Sequence, residues 1–134
     1  MHTLTVRSVT KPRDYPELVA IWRSAVDATH DFLSQQDKTD IESKLASDYF
    51  PQVNLFVAEY DGQAVGFAGI VDQSLEMLFV HADWHNRGVG TTLLSYVTEH
   101  HGITSVDVNE QNNQAAQFYQ RKGFVTIGRS ALDD

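Results

Sequence analysis

The chain contains no cysteine, which removes disulfides, thiolate nucleophiles and cysteine-ligated zinc from the chemistry open to it. It also lacks any apolar run near the roughly 20 residues that a membrane-spanning helix needs. Its first ten residues, MHTLTVRSVT, have neither the basic head nor the apolar stretch of a secretory signal. A cytoplasmic protein with no membrane contact is the expectation. Cations are scarce: 10 Lys and Arg stand against 18 Asp and Glu, a formal net charge of −8, and they form no run. The basic footprint of a nucleic-acid binder is therefore missing, whereas an acidic surface tolerates a cationic or amine ligand.

What is present suits one globular domain over residues 1–134, with 42% hydrophobic and 21% charged residues. LTVRSV (4–9) alternates as a strand. Asp14 with Glu17 and Pro16 marks a helix start, and Leu18, Ile21, Trp22, Ala25 and Val26 then fall on one helical stripe. THDFLSQQD reads as a loop, followed by a short helix over about 39–49 with Ile41, Leu45 and Tyr49 on one face. LFVAEY and QAVGFAGIVD are strands joined through Asp61-Gly62, a hairpin signal, and SLEMLFV (74–80) is the fourth strand. TTLLSYVTEHH (91–101) predicts a helix stopped by Gly102. SVDVN, NQAAQFYQRK and FVTIGR then predict strand, helix and strand. The order β, α, α, β, β, β, α, β, α, β implies an α/β domain with a mixed sheet.

Between the fourth strand and the helix after it stands His85-Asn86-Arg87-Gly88-Val89-Gly90-Thr91. A glycine corner at a helix N-terminus presents free backbone N–H groups and the positive end of the helix dipole, which favours phosphate. Glycine at 88 and 90 removes the Cβ atoms that would hold a ligand off those amides. Neither GxxxxGK[ST] nor GxGxxG fits the segment. A tight turn that binds nothing is the alternative for these residues alone.

A second constellation lies downstream, where Asn112, Ala115, Phe118, Tyr119, Gly123 and Phe124 are spaced N-x-x-A-x-x-F-Y-x-x-x-G-F. With LFVHADWHNRGVGTTLL before it, in that order and separation, the chain resembles the GNAT superfamily of acyl-CoA-dependent N-acyltransferases over nearly its whole length. AIWRSAVDATHDFL, DVNEQN and GRS-x-x-DD are similar to a small bacterial type within it.

The resemblance implies a mixed, mostly antiparallel central sheet flanked by helices, with the fourth and fifth strands splayed apart. It implies acetyl-CoA as cosubstrate, its pantetheine arm along Leu78, Phe79 and Val80 and its pyrophosphate on the corner from His85 and Asn86 through Thr91, with Asn112 and Tyr119 completing the cofactor site. His85 departs from the Gln or Arg usual at the first position of the corner. Tyr119 matches the family's acid for the departing thiolate; packing beside Phe118 is its plainer role. Two candidates stand for the base that takes the ammonium proton. One is Glu76, on the fourth strand; the other is His30, whose imidazole titrates near neutral pH in a loop that would wall the acceptor. The acceptor itself is an amine, on a small molecule or a protein. A domain that binds acyl-CoA without turnover is the alternative to an active enzyme. His81 and His85, four apart in a loop with no third ligand placed beside them, give no metal site. Relatives commonly carry one more strand after the one matching FVTIGR, whereas the sequence stops at Asp134; a homodimer covering that edge is the expectation.

Overall fold

The hairpin through Asp61 and Gly62, both at positive φ (55° and 83°), organises the sheet of the computed structural model, which describes residues 3–10, 12–29, 33–107 and 113–125. Strands Leu4–Val9 (β1), Asn54–Tyr60 (β2), Gln63–Val71 (β3) and Ser74–Val80 (β4) form an antiparallel meander, and Ser105–Val106 (β5) joins parallel to β4. The two-residue turn twists with the flanking strands, so register between β2 and β3 is set locally. Helix Tyr15–Thr29 (α1) precedes Gln35–Lys44 (α2), Val89–His101 (α3) links β4 to β5, and Asn113–Arg121 (α4) follows β5. No helix among the described residues is long and apolar enough to cross a membrane.

Alternation along the strands divides the core. Leu55, Val57 and Phe67 face α1, meeting Leu18, Ile21, Trp22 and Val26. Phe56, Ala58, Val65, Ala68 and Ile70 face α3, meeting Val89, Leu93, Leu94 and Val97. All five residues of the predicted α1 stripe are at most 4% exposed, and burying a large apolar side chain fully stabilises by about 1.5–3 kcal/mol.

Three boundaries differ from the sequence reading. α2 starts at Gln35, four residues before the predicted start at Thr39, because Ser34 caps it: its side chain accepts from the Asp37 N–H. The helix ends at Lys44, and a π-turn over Leu45–Tyr49 replaces its predicted second half. α3 begins at Val89 rather than Thr91, so Gly88 is its N-cap and Gly90 lies inside the first turn. β5 is described only over Ser105–Val106. His30, Asn112 and the expected last strand from residue 126 onward, with the dimer contact expected there, lie outside the described residues.

One irregularity shapes the site. In the β3–β4 register Gly69 opposes Met77 and Ile70 opposes Leu75, so Glu76 has no opposite number. An extra residue in one strand of a pair bends that strand and increases its twist. Among the described residues β4 pairs with β5 at Ser74 and Leu75, just before the bulge; the stretch of chain that would lie beside the rest of β4, where the sequence reading expects a splay, falls outside the described residues.

Candidate active site

A cleft of about 800 Å³ lies between the second half of β4, the start of α3 and α4. Leu78, Phe79 and Val80 form its floor, and His85, Asn86, Gly88, Val89, Gly90 and Thr91 form one end. Tyr119 stands in the α4 wall, and Ala25 and Ala28 of α1 close the side beneath. Arg87, the remaining residue of the corner, is outside the lining; its guanidinium lies 5.0 Å from the centre of the Trp84 ring.

The corner is held from several sides. Asn86 and Gly88 take positive φ (63° and 84°), a conformation that costs glycine little and that asparagine tolerates better than most residues. Gly88 has no side chain to cap α3, so the first amides of the helix are left to a ligand or water. Ala82 N–H donates to Ser24 Oγ of α1 at 2.9 Å. His85 Nε2 is 2.9 Å from Val80 O; a carbonyl only accepts, so Nε2 carries the proton. His85 therefore ties the corner back to the end of β4.

One glycine sets the spacing. A Cβ at Gly66 of β3 would lie 2.8 Å from Val89 Cγ1 and 3.1 Å from Phe79 O, so its absence lets the start of α3 rest on the sheet. Gly90 is different: a Cβ there would meet Phe118 Cζ at 3.7 Å and Val80 Cγ2 at 3.8 Å, ordinary contacts, so only Gly66 sets the spacing of the pair. The bare backbone, the uncapped helix start and the depth of the cleft fit a pyrophosphate followed by a slender acyl-bearing arm.

Tyr119 is 7% exposed, its ring centre 5.2 Å from that of Phe118 and 6.1 Å from that of Phe124. Burial pushes its phenol well above the ordinary tyrosine value, because the charged form loses hydration. It therefore stays protonated at any working pH. Its hydroxyl has no hydrogen-bond partner among the described residues, and the residue lines the cleft.

Glu76 is not in the lining. It sits exposed on the bulge, next to the described pairing of β4 with β5, and Ser74 Oγ donates to its Oε2 at 2.6 Å. Trp22 is core, 4% exposed and edge-on to Phe79 with ring centres 6.4 Å apart. His81 serves the backbone: its Nδ1 accepts from the Asp83 N–H at 3.1 Å. The sequence reading passed over Trp84, Arg121 and Lys122, all in the lining. Arg121-Lys122 just before a helix-stopping glycine also suits the helix dipole, which concealed its place on the wall.

Residues 51–126 match the acetyltransferase (GNAT) domain family. Peptidyl-lysine N-acetyltransferase YjaB of Salmonella typhimurium is 42% identical over 120 residues, 88% of this chain and 81% of that one. The solution structure of apo YjaB from Escherichia coli superposes with a TM-score of 0.88 at 38% identity, covering 98% of this chain and 89% of that one. The PaiA N-acetyltransferase of Thermoplasma acidophilum, solved in complex with coenzyme A, shares the fold with a TM-score of 0.82 at 18% identity, covering 98% and 95%. The chain belongs to the GNAT family of acetyltransferases. It is an N-acetyltransferase, moving an acetyl group from acetyl-CoA to an amine.

Proposed function

We propose that the acceptor is the side-chain amine of a protein lysine and that Glu76 and Tyr119 manage its protons. The observation that carries this reading is the cleft itself, with a glycine corner at one end and a protonated tyrosine in the wall, beside a carboxylate on the bulge of β4. The peptidyl-lysine activity named for the YjaB relatives supports the acceptor class.

Bound acetyl-CoA supplies the acetyl thioester. Amides of the corner from Gly88 to Thr91 hold its pyrophosphate, and β4 beyond the bulge holds its arm and presents N–H groups to the carbonyl oxygen. A lysine ammonium must lose a proton before its nitrogen can attack. Glu76, held by Ser74 and open to water, takes that proton directly or through one water. Tyr119 Oη gives its proton to the departing sulfur, and burial keeps that proton in place until it is needed. A carboxylate outside the cleft also favours a cationic side chain that reaches in from another protein.

The test is acetylation of lysine-containing peptides, read by mass spectrometry, by the unaltered protein and by Glu76→Gln. The expected result is acetyl on the lysine side chain and a kcat reduced by roughly 10²- to 10⁴-fold in the variant. Full activity in Glu76→Gln with loss in His30→Gln would move the base to the loop. Acetylation of small amines with none of peptides would overturn the acceptor class.

A further inference from the structure

The strand order leaves β1 at the margin of the sheet, hydrogen-bonded to β2 on one side and to no strand on the other among the described residues. An open edge presents a row of N–H and C=O groups that templates a further strand, and proteins commonly guard it with a charge. Arg7, the one charge on β1, does not stand there as a guard. Its guanidinium reaches back over β2 to Glu59 at 3.1 Å and along the chain to Asp14 at 3.2 Å.

Beside this edge, on the α3 face, runs a groove of about 390 Å³ between Leu4 and Val6 of β1 and Ser95 and Tyr96 of α3, with Glu99 and His100 also in its lining. A strand added to β1 would send alternate side chains toward the groove. Sheet edges take up strands in this way, main-chain hydrogen bonds supplying affinity and a side pocket supplying selectivity.

Charge and register say which strand. A chain of net charge −8 repels its own copies, so two copies meet best where carboxylates are scarce, and LTVRSV has none. Pairing about a twofold axis normal to the sheet must keep Leu4 and Val6 on the α3 face, where they pack, since a slip of one residue moves them to the other. Thr5, Val6 or Arg7 then lies on the axis. Arg7 there would set like charges directly opposite each other, which destabilises; Thr5 there would leave Ser8 and Val9 beyond the partner strand. Val6 on the axis sets Leu4 opposite Ser8, Thr5 opposite Arg7 and Val6 opposite itself, so the apolar floors of the two grooves become continuous.

We propose that β1 is an interface for a second copy of this chain, the two strands pairing antiparallel about Val6 so that two sheets join into one. The cleft lies at β4, across β2 and β3 from this edge, so both cofactor sites stay open.

Light scattering behind a sizing column, over a dilution series, reads the assembly. The unaltered protein should run as a dimer that dissociates on dilution. Thr5 is exposed and lies opposite Glu59 within its own chain, which separates association from folding. Thr5→Lys gains that internal partner but meets the partner's Arg7. It should melt no lower, and its dimer should weaken by roughly 2- to 30-fold, since the like-charge pair enters twice by symmetry. Thr5→Glu does the reverse, opposing Glu59 at home and attracting the partner's Arg7, so it should melt lower and dimerise at least as tightly. A monomer throughout the series would overturn the interface, whether amide exchange then finds β1 open or covered by another part of the chain. A dimer that both variants leave unchanged would also overturn it, placing the contact elsewhere, and one that both weaken alike would overturn pairing about Val6.

Discussion

In the proposed reaction Tyr119 serves packing and chemistry at once. Its ring lies against Phe118 and Phe124, and the residue lines the cleft. Phenylalanine keeps the ring and removes the proton, so Tyr119→Phe separates the two roles. Steady-state turnover should fall by roughly 100-fold or more, whereas calorimetric affinity for coenzyme A should hold. An unchanged kcat would reduce Tyr119 to packing. A stability signature follows from the raised phenol. Above the unfolded value, near pH 10, the unfolded chain releases a proton that the folded chain retains, so stability falls as pH rises further. Urea melts should show the unaltered protein weakening above about pH 10, and Tyr119→Phe weakening less. The motif spacing made Tyr119 legible in the sequence. Its burial was not, since that depends on Phe124 folding back so that its N–H reaches Tyr119 O at 3.0 Å.

Strands and helices were legible where an apolar period faced a core, as in α1, α3 and the β2–β3 hairpin. α2 was displaced because QQDKTDIESK carries no apolar stripe. Its one apolar contact with the α1-side core is Ile41, and charge ties it to α1, with Lys38 only 4% exposed and its Nζ 3.3 Å from Asp27, and Arg23 reaching Asp27, Glu42 and Gln35. Only the Ser34 cap marked its start. The contact between β3 and α3 is equally hidden, since a glycine in a strand names no neighbour. It yields a prediction. Gly66→Ala forces a methyl against Val89 and the Phe79 carbonyl, overpacking that costs about 1–3 kcal/mol and pushes the start of α3, with the corner, off the sheet. Gly69→Ala crowds Val53 on the opposite face, at 3.0 Å. Both variants should melt lower, but only Gly66→Ala should also lose affinity for coenzyme A. Equal affinities would show that the corner is positioned independently of β3.

For the whole molecule, whatever fills the cleft couples β4 to α3 and α4. A ligand of the folded cleft does not bind the open chain, so with acetyl-CoA the melting temperature should climb with ln(1 + [L]/Kd), about 2.7 kcal/mol of added stability at 100 times Kd. Coenzyme A should act nearly as strongly, and ATP, which has no arm to lay along β4, should not. Equal stabilisation by ATP in a thermal-shift titration would disprove the fit of the arm. The bulge in β4 is not legible in the sequence, because Met77-Leu78-Phe79-Val80 is apolar throughout and hides any break in alternation. That single unopposed residue inverts the parity of the strand. Leu75 faces α3, and a regular strand would send Met77 and Phe79 to the same side; instead Leu78 and Val80 stand over α3 while Met77 and Phe79 turn to α1. Glu76 thus acts like a frameshift in space, deciding which half of the side chains downstream belongs to the cofactor's face and which to the core beneath.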